Sequence, residues 1–314
     1  MGELKVGLFG VGRMGSNHLR VLSGMDGVAV RAYDPGAAFC PRAPSAVMVP
    51  GAGELMRWAD AVVVATPIPA HYGIAKNALL NGKPVLCEKP VCGDIDQLRH
   101  LMETSRARNV LLMGGYVERY NPAVGVLCDR GRASVAMVEM ERVGNVPEAD
   151  RVPCGVVMDI AVHDYDLLSR VFPGCRIRVV HSSLLFDGTV AVRADVVLGM
   201  RWAGRDIPVH VRTSWVGLRK RRLIGLHYRQ YTSFADLVNR RVWTVNRMTG
   251  RRRVRDVNDG RTPLEIELDR FVGMVKDGYP GGPVHVGEEA VRIAEEACGV
   301  GAAAQGRRPG RWFC

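Results

Sequence analysis

The sequence predicts an α/β chain in two parts: a parallel sheet wound with helices, then a larger, mostly antiparallel open sheet with its own helices. Three observations carry this prediction. Short apolar runs alternate with helical patterns as far as Met113. A glycine-rich turn, Gly10-Val11-Gly12-Arg13-Met14-Gly15, follows the first of those runs and opens the first helical pattern. β-branched runs at hairpin spacing dominate from Arg176 to Arg247.

In the first part, residues 4–9, 28–33, 61–65, 84–87 and 110–113 read as strands. They are continuously apolar rather than alternating, which signals burial on both faces and hence a parallel sheet crossed by helices. Helical patterns cover residues 13–25, 70–81 and 94–108. The last opens on Asp94, a residue type that caps free N–H groups, and residues 70–81 stop at Gly82. Pro35, Pro41, Pro44 and Pro50 argue against a helix between the second and third strands. A short irregular crossover or a flap is expected across residues 35–53.

The pattern changes at Glu118. A helix is expected over residues 121–129, with Pro122 in its first turn where a missing N–H costs little. Residues 134–142 read as a strand and 156–171 as a helix. Residues 176–180, 190–198, 207–214, 223–228 and 242–245 form a sheet by hairpin spacing. Helices over 264–276 and 287–303 close the chain. The expected domains are residues 1–118 and 119–314, with the last helices available to pack back on the first.

The chain has 314 residues, enough for two cores. It carries 43 Lys and Arg against 32 Asp and Glu, a net charge of +11. The arginines thicken between Arg201 and Arg261, with runs at Arg219-Lys220-Arg221-Arg222 and Arg251-Arg252-Arg253. Three readings stay open: a nucleic-acid footprint, a docking surface for a small anion, and a solvated sheet face with hairpin turns. No aromatic-interleaved motif accompanies the charge, so no nucleic-acid partner is expected. No run approaches the roughly 20 apolar residues of a membrane helix, and the start lacks the pattern of a secretory signal. No membrane partner and a cytoplasmic location are expected. The cysteines are scattered, with no Cys-x-x-Cys pair, as in reduced thiols, and no metal is expected.

Gly10, Gly12 and Gly15 sit where a strand turns into a helix, the context that gives the pattern meaning. The first glycine permits the tight turn, the second the approach of a pyrophosphate, and the third close helix–strand packing. Asp34 ends the next strand, nineteen residues after Gly15. A carboxylate there holds ribose hydroxyls and repels a 2′-phosphate, which favours NAD; Arg31 and Arg42 are the residues that would admit NADP. Lys89, between Glu88 and Pro90, follows a strand end, where open α/β sheets bind ligands. An ammonium gives up its proton when desolvated and a guanidinium does not. Asp159 and His163, four apart in a helical pattern, share a face, with Asp166 nearby. His163 is suited to accept a hydroxyl proton, and Asp159 to orient it or a substrate. The plainer readings are a structural turn, a surface lysine and a polar helix face. No Gly-x-Ser-x-Gly elbow is present, against triad hydrolysis.

In this order the motifs resemble the glucose–fructose oxidoreductase / inositol dehydrogenase / rhizopine catabolism (Gfo/Idh/MocA) family. The resemblance runs over nearly the whole chain. It takes in the glycine turn with Arg13-Met14, and Ala65-Thr66-Pro67 with His71. It continues through Gly82-Lys83-Pro84-Val85-Leu86-Cys87-Glu88-Lys89-Pro90 and residues 155–166. It implies a Rossmann domain followed by a domain whose open sheet serves oligomer contacts, hence a homodimer or homotetramer. It implies a cofactor site of Gly10, Gly12, Arg13, Met14, Gly15, Asp34, Thr66, Pro67, His71, Glu88 and Lys89. It implies that Lys89 and His163 serve the redox centre beside Asp159. The segment Gly115-Tyr116-Val117-Glu118-Arg119-Tyr120-Asn121-Pro122, with Ser214-Trp215, Lys220 and Arg222, is similar to UDP-N-acetylhexosamine 3-dehydrogenase-like members. That similarity adds Tyr116, Arg119 and Asn121 to Lys89, Asp159 and His163 as substrate-side residues. Two departures stand out: Ile68-Pro69 replaces the Asn that follows Thr-Pro in the family, and the second crossover is proline-rich. The expected function is NAD(P)-dependent hydride transfer at a secondary alcohol of a sugar or nucleotide-sugar. The alternative is a non-catalytic nicotinamide-binding regulator or scaffold of the same fold.

Overall fold

The structure, a computed structural model, describes residues 2–36, 48–144 and 155–305. In chain order it contains β1 (Leu4–Phe9), α1 (Arg13–Leu22), β2 (Val28–Tyr33), α2 (Ala52–Trp58), β3 (Ala61–Val64), α3 (Ile68–Leu80), β4 (Val85–Glu88), α4 (Ile95–Arg108) and β5 (Leu111–Gly115). After a 3-10 turn at Val117–Tyr120 come α5 (Pro122–Cys128), β6 (Val135–Val143), a π turn (Val157–Ala161) and α6 (Val162–Val171). Then follow β7 (Arg176–Asp187), β8 (Val190–Trp202), β9 (Arg205–Ser214), β10 (Arg221–Tyr228), β11 (Tyr231–Asp236), β12 (Arg241–Asn246) and β13 (Arg252–Asp256). The described part closes with α7 (Pro263–Lys276), β14 (Gly282–Val284) and α8 (Glu288–Ala303). The chain divides into two compact units, Met1–Val117 with Leu264–Glu288, and Glu118–Pro263 with Glu289–Cys314.

The first unit is built on a parallel six-stranded sheet in the order β14-β5-β4-β3-β1-β2. β3 is Ala-Val-Val-Val and every residue of it is buried, as continuous apolarity required. Each such valine contributes about 1.5–3 kcal/mol of hydrophobic stabilisation. From β1 the chain moves to β2 on one side and then to β3 on the other. That reversal is the topological switch point at which open α/β sheets leave a crevice beyond the strand ends. The crossover from β2 to β3 does contain a helix, α2, starting just past the last proline of the stretch; residues 37–47, with Arg42, lie outside the described residues. The sixth strand, β14, was not expected: three residues including a proline are too short for periodicity to register, and pairing with β5 makes them a strand.

The second unit carries an eight-stranded sheet in the order β13-β12-β11-β10-β6-β9-β8-β7. All pairings are antiparallel except β6 with β9. Strand β9 alternates strictly along most of its length, so Ile207, Val209 and Val211 are buried while Pro208, His210 and Arg212 are exposed. The exposed side bears a ladder of charges, Arg193–Asp195 at 2.8 Å, Asp195–Arg212 at 3.1 Å and Glu141–Arg221 at 2.8 Å. The arginine-rich runs largely take the plainest of their three readings. Arg252 and Arg253 lie on β13, an edge strand exposed throughout, where a charged edge deters pairing with another sheet.

Local signals set the helix ends. Asp94 accepts from the N–H groups of Asp96 at 2.9 Å and Gln97 at 3.1 Å, and Asn109 ends α4 in the left-handed region at φ 52°. Asp94→Ala is expected to cost about 1 kcal/mol, read as a lower urea midpoint at unchanged slope; an unchanged midpoint would show that the cap is not what starts α4.

Candidate active site

The glycine turn lies at the switch point. Gly10 has φ +89°, and a Cβ on it would stand 2.6 Å from the Ala65 carbonyl oxygen, so only glycine permits this approach of β1 to the end of β3. A Cβ at Gly15 would collide with the Gly10 carbonyl, so glycine there lets α1 start against the turn. A Cβ at Gly12 would meet nothing within 4 Å: this edge of the turn is open. Helix α1 begins after Gly12 with no side-chain cap and no acidic residue in its first turn, which leaves its N–H groups directed outward. Thr66 Oγ1, on the neighbouring β3 turn, is shielded from solvent without a hydrogen-bond partner. An open glycine edge, an uncapped helix start and an orphaned hydroxyl fit a dinucleotide pyrophosphate. Asp34 supports the same turn, accepting from Val11 N–H at 2.9 Å and Gly36 N–H at 2.8 Å. Arg13 is exposed and Met14 half-buried at the start of α1, Pro67 precedes α3, and Arg31 stacks over Trp58 at 4.7 Å.

Lys89 sits just past β4, half-buried, with a cis bond to Pro90. Two buried histidines hold this turn. His18, on α1, lies 2.7 Å from Glu88 Oε1, and Glu88 Oε2 accepts from Lys89 N–H at 3.2 Å. Burial pushes the Glu88 carboxyl up, but the hydrogen bond and charge of His18, with Lys89, overcome that and leave it below its ordinary value. His71, on α3, lies with Nδ1 3.0 Å from the Pro90 carbonyl and Nε2 2.7 Å from the Thr66 carbonyl. Glu88 and His71, expected at the cofactor, therefore brace the turns around it. His18 was not picked out from the sequence; its signal was a histidine three residues after Gly15, on the helix face shared with Leu19 and Leu22.

In the second unit, Asp159 lies in the π turn and His163 is the second residue of α6. The predicted continuous α-helix over 156–171 is thus corrected at its start: the turn widens, and π turns recur at functional sites. Asp159 is half-buried and His163 is buried. The next residue, Asp164, receives Arg142 of β6 in a forked contact, Nε to Oδ2 at 3.0 Å and Nη2 to Oδ1 at 2.8 Å. Arg142 also donates to Glu118 at 3.2 Å, and Arg222 donates to the same Glu118 oxygen at 2.5 Å. Burial alone would drive the proton from Arg142; Asp164 and Glu118 hold it above the ordinary arginine range. Burial pushes Glu118 up, and Arg142 and Arg222 bring it below the carboxylate range. This network, which sequence reasoning missed, anchors the helix start that carries His163.

Three expected substrate-side residues are engaged elsewhere. Arg119 forks onto Asp166, Nε to Oδ2 at 2.6 Å and Nη2 to Oδ1 at 2.7 Å, so its guanidinium ties the 3-10 turn to α6 rather than facing an anion. It also removes Asp166 from the face imagined for Asp159 and His163. Asn121 caps α5, accepting from Ala123 N–H at 3.1 Å while its amide donates to Glu118 and to the Leu237 carbonyl. Tyr116 is fully buried, its ring packed where a Cβ at Gly287 would collide with it. Among the described residues no cluster of three or more metal-ligating side chains occurs, and no helix is long and apolar enough to cross a membrane.

Residues 4–116, which hold the glycine turn, Thr66 and Lys89, match the model of an oxidoreductase family with an NAD-binding Rossmann fold, Gfo/Idh/MocA. Over those residues the chain is similar to this family. Similarity to individual proteins runs over nearly the whole length. UDP-N-acetylglucosamine 3-dehydrogenase of Acidithiobacillus ferrooxidans is 25% identical over 94% of this chain and 98% of its own. The solved structure of that enzyme superposes with a TM-score of 0.82 at 22% identity, over 95% of this chain and 97% of the other. An inositol dehydrogenase homologue from Azotobacter vinelandii, solved with NADH and myo-inositol, gives 0.76 at 19% identity, over 97% and 96% of the two chains. At these identities the superpositions speak for the two-part fold.

Removing the centre of the buried network takes from Asp164 its forked counter-charge and leaves Glu118 to Arg222 alone. Arg142→Ala is expected to destabilise the protein by about 3–5 kcal/mol, whereas Arg193→Ala on the exposed ladder stays within about 1 kcal/mol. Chemical denaturation of the two variants checks this, and equal effects would remove the anchoring role.

Proposed function

We propose that the chain transfers a hydride between a secondary alcohol carbon of a sugar or nucleotide-sugar and a nicotinamide dinucleotide. The observation that supports this most directly is the glycine turn, open at Gly12 and set at the switch point, with Lys89 at the end of the same sheet's β4. Gly10, Gly12, Gly15 and the start of α1 would receive the pyrophosphate, and Thr66 Oγ1 would gain a partner on binding. Asp34, already bonded to the turn, keeps a carboxylate near the ribose position, which favours NAD. Bound there, the nicotinamide supplies the hydride acceptor or donor.

The chain's own residues supply the proton chemistry. Lys89 would polarise the reacting oxygen through its ammonium. His163 would accept the hydroxyl proton in oxidation and return it in reduction, with its place on α6 held by the Arg142–Asp164 contact. Asp159, in the widened turn, would orient the substrate or the imidazole. The relatives bear on the substrate class: one is a UDP-N-acetylglucosamine 3-dehydrogenase, and another was solved with myo-inositol. The half-buried Phe234 and Trp243, stacked at 5.4 Å on the eight-stranded sheet, support a homo-oligomer formed through that sheet.

The deciding assay is nicotinamide absorbance with NAD or NADP over a panel of UDP-sugars, free hexoses and inositols. Lys89→Met and His163→Ala are each expected to lower turnover by on the order of 10²-fold or more while the cofactor still binds. Full turnover in either variant would strip that residue of its role. Cofactor binding without turnover on any member would favour the non-catalytic regulator. Light scattering is expected to give the mass of a dimer or tetramer; a monomer at micromolar concentration would overturn the assembly proposal.

A further inference from the structure

His71 has a bonding problem that its surroundings define. Both ring nitrogens face carbonyl oxygens, Thr66 at 2.7 Å and Pro90 at 3.0 Å, and a carbonyl oxygen only accepts. A neutral imidazole has one N–H and can satisfy one of them; only the imidazolium donates to both. The ring is buried, so water cannot relieve the mismatch. The two carbonyls belong to the two turns that matter most in the first unit. Thr66 is the β3 turn against which Gly10 is packed, and Pro90 directly follows Lys89.

We propose that His71 is a positioning residue that ties the cofactor turn to the lysine turn, with two hydrogen bonds when protonated and one when neutral, so that cofactor affinity follows its protonation. This rests on the dehydrogenase reading for its meaning, though not for its test. Burial drives the ring toward the neutral form, and the two carbonyls and Glu88 pull the other way while Lys89 adds to burial; the net is a value below that of a free histidine. The ring is therefore neutral near pH 7, with one bond, and gains the second as the pH falls. From α4, the neighbouring helix, the titratable group against α3 is His100, which contacts Tyr72 at 2.6 Å; Lys76 of α3 lies on the same Tyr72.

Two measurements on the full chain test the proposal. NADH affinity, followed by its fluorescence between about pH 5 and about pH 7.5, is expected to tighten toward acid in the wild type. In His71→Gln, which has donors but does not titrate, that acid gain is lost. His71→Phe, which keeps a ring without donors, is expected to bind NADH on the order of 30-fold more weakly at the acid end, the loss of both hydrogen bonds. Thermal unfolding establishes that both variants fold. Imidazole nitrogen NMR of the wild type is the second readout: His71 is expected to pass from one protonated nitrogen to two as the pH falls, in step with the gain in NADH affinity. A His71→Gln profile that superposes on the wild type, or a ring that keeps one protonation state throughout, would overturn the proposal. Should NADH fail to bind, the dehydrogenase reading falls, and the nitrogen spectra still decide whether His71 switches.

Discussion

The guanidinium of Arg142 is the point on which the second unit turns. It is buried on β6, and a buried cation is tolerable only with charge and hydrogen bonds around it. Asp164 supplies these from α6 and Glu118 from the 3-10 turn, while Arg222 of β10 balances the second carboxylate. Two strands, one helix and one turn are thereby fixed to a single planar group. His163 stands immediately before Asp164, so the imidazole proposed for proton transfer sits on the helix start that this ion pair anchors. A hydrophobic contact would hold the helix as strongly, but it would not fix rotation and register as a forked contact does.

The first unit solves the same problem with shape and histidine. Gly10 and Gly15 remove the two side chains that would keep β1, α1 and the β3 turn apart. The space so gained is open on the Gly12 side and lined by uncapped N–H groups. Around it, His18 and His71 reach from α1 and α3 to the turn that bears Lys89. The lysine is thus set by groups on two different helices, each of them buried. Its composition is telling as well: the chain uses arginine for its surface and for its buried ion pairs, and places one of its few lysines at the strand end where a removable proton has value.

Much of this was legible in the chain. Continuous apolar runs such as 61–64 identify strands buried on both faces, and Asp94 and Gly82 mark helix ends, because these are local requirements of backbone and solvent. The motifs around Gly10, Lys89 and His163 were legible for the same reason: a tight turn, a strand end and a helix face each restrict residue type. What the chain did not show is which polar residues near a motif already have partners within the protein. Arg119 and Asp166 pair with each other across 47 residues, and Asn121 caps α5 while its amide reaches Glu118 beside it and the Leu237 carbonyl 116 residues away. The helix at Ala52–Trp58 was hidden by the prolines before it, and β14 by its brevity.

By itself, then, the sequence determined the two-part architecture and the glycine turn between β1 and α1, since these follow from periodicity, conformational freedom and side-chain type over short spans. Only the tertiary structure decided which polar groups are structural: that His71 bridges two carbonyls, that Glu88 belongs to His18, and that Arg142 collects Asp164 and Glu118. The physical reason is the cost of burying polar groups. Each must find a partner wherever the fold brings one, and a partner distant along the chain leaves no trace in local pattern.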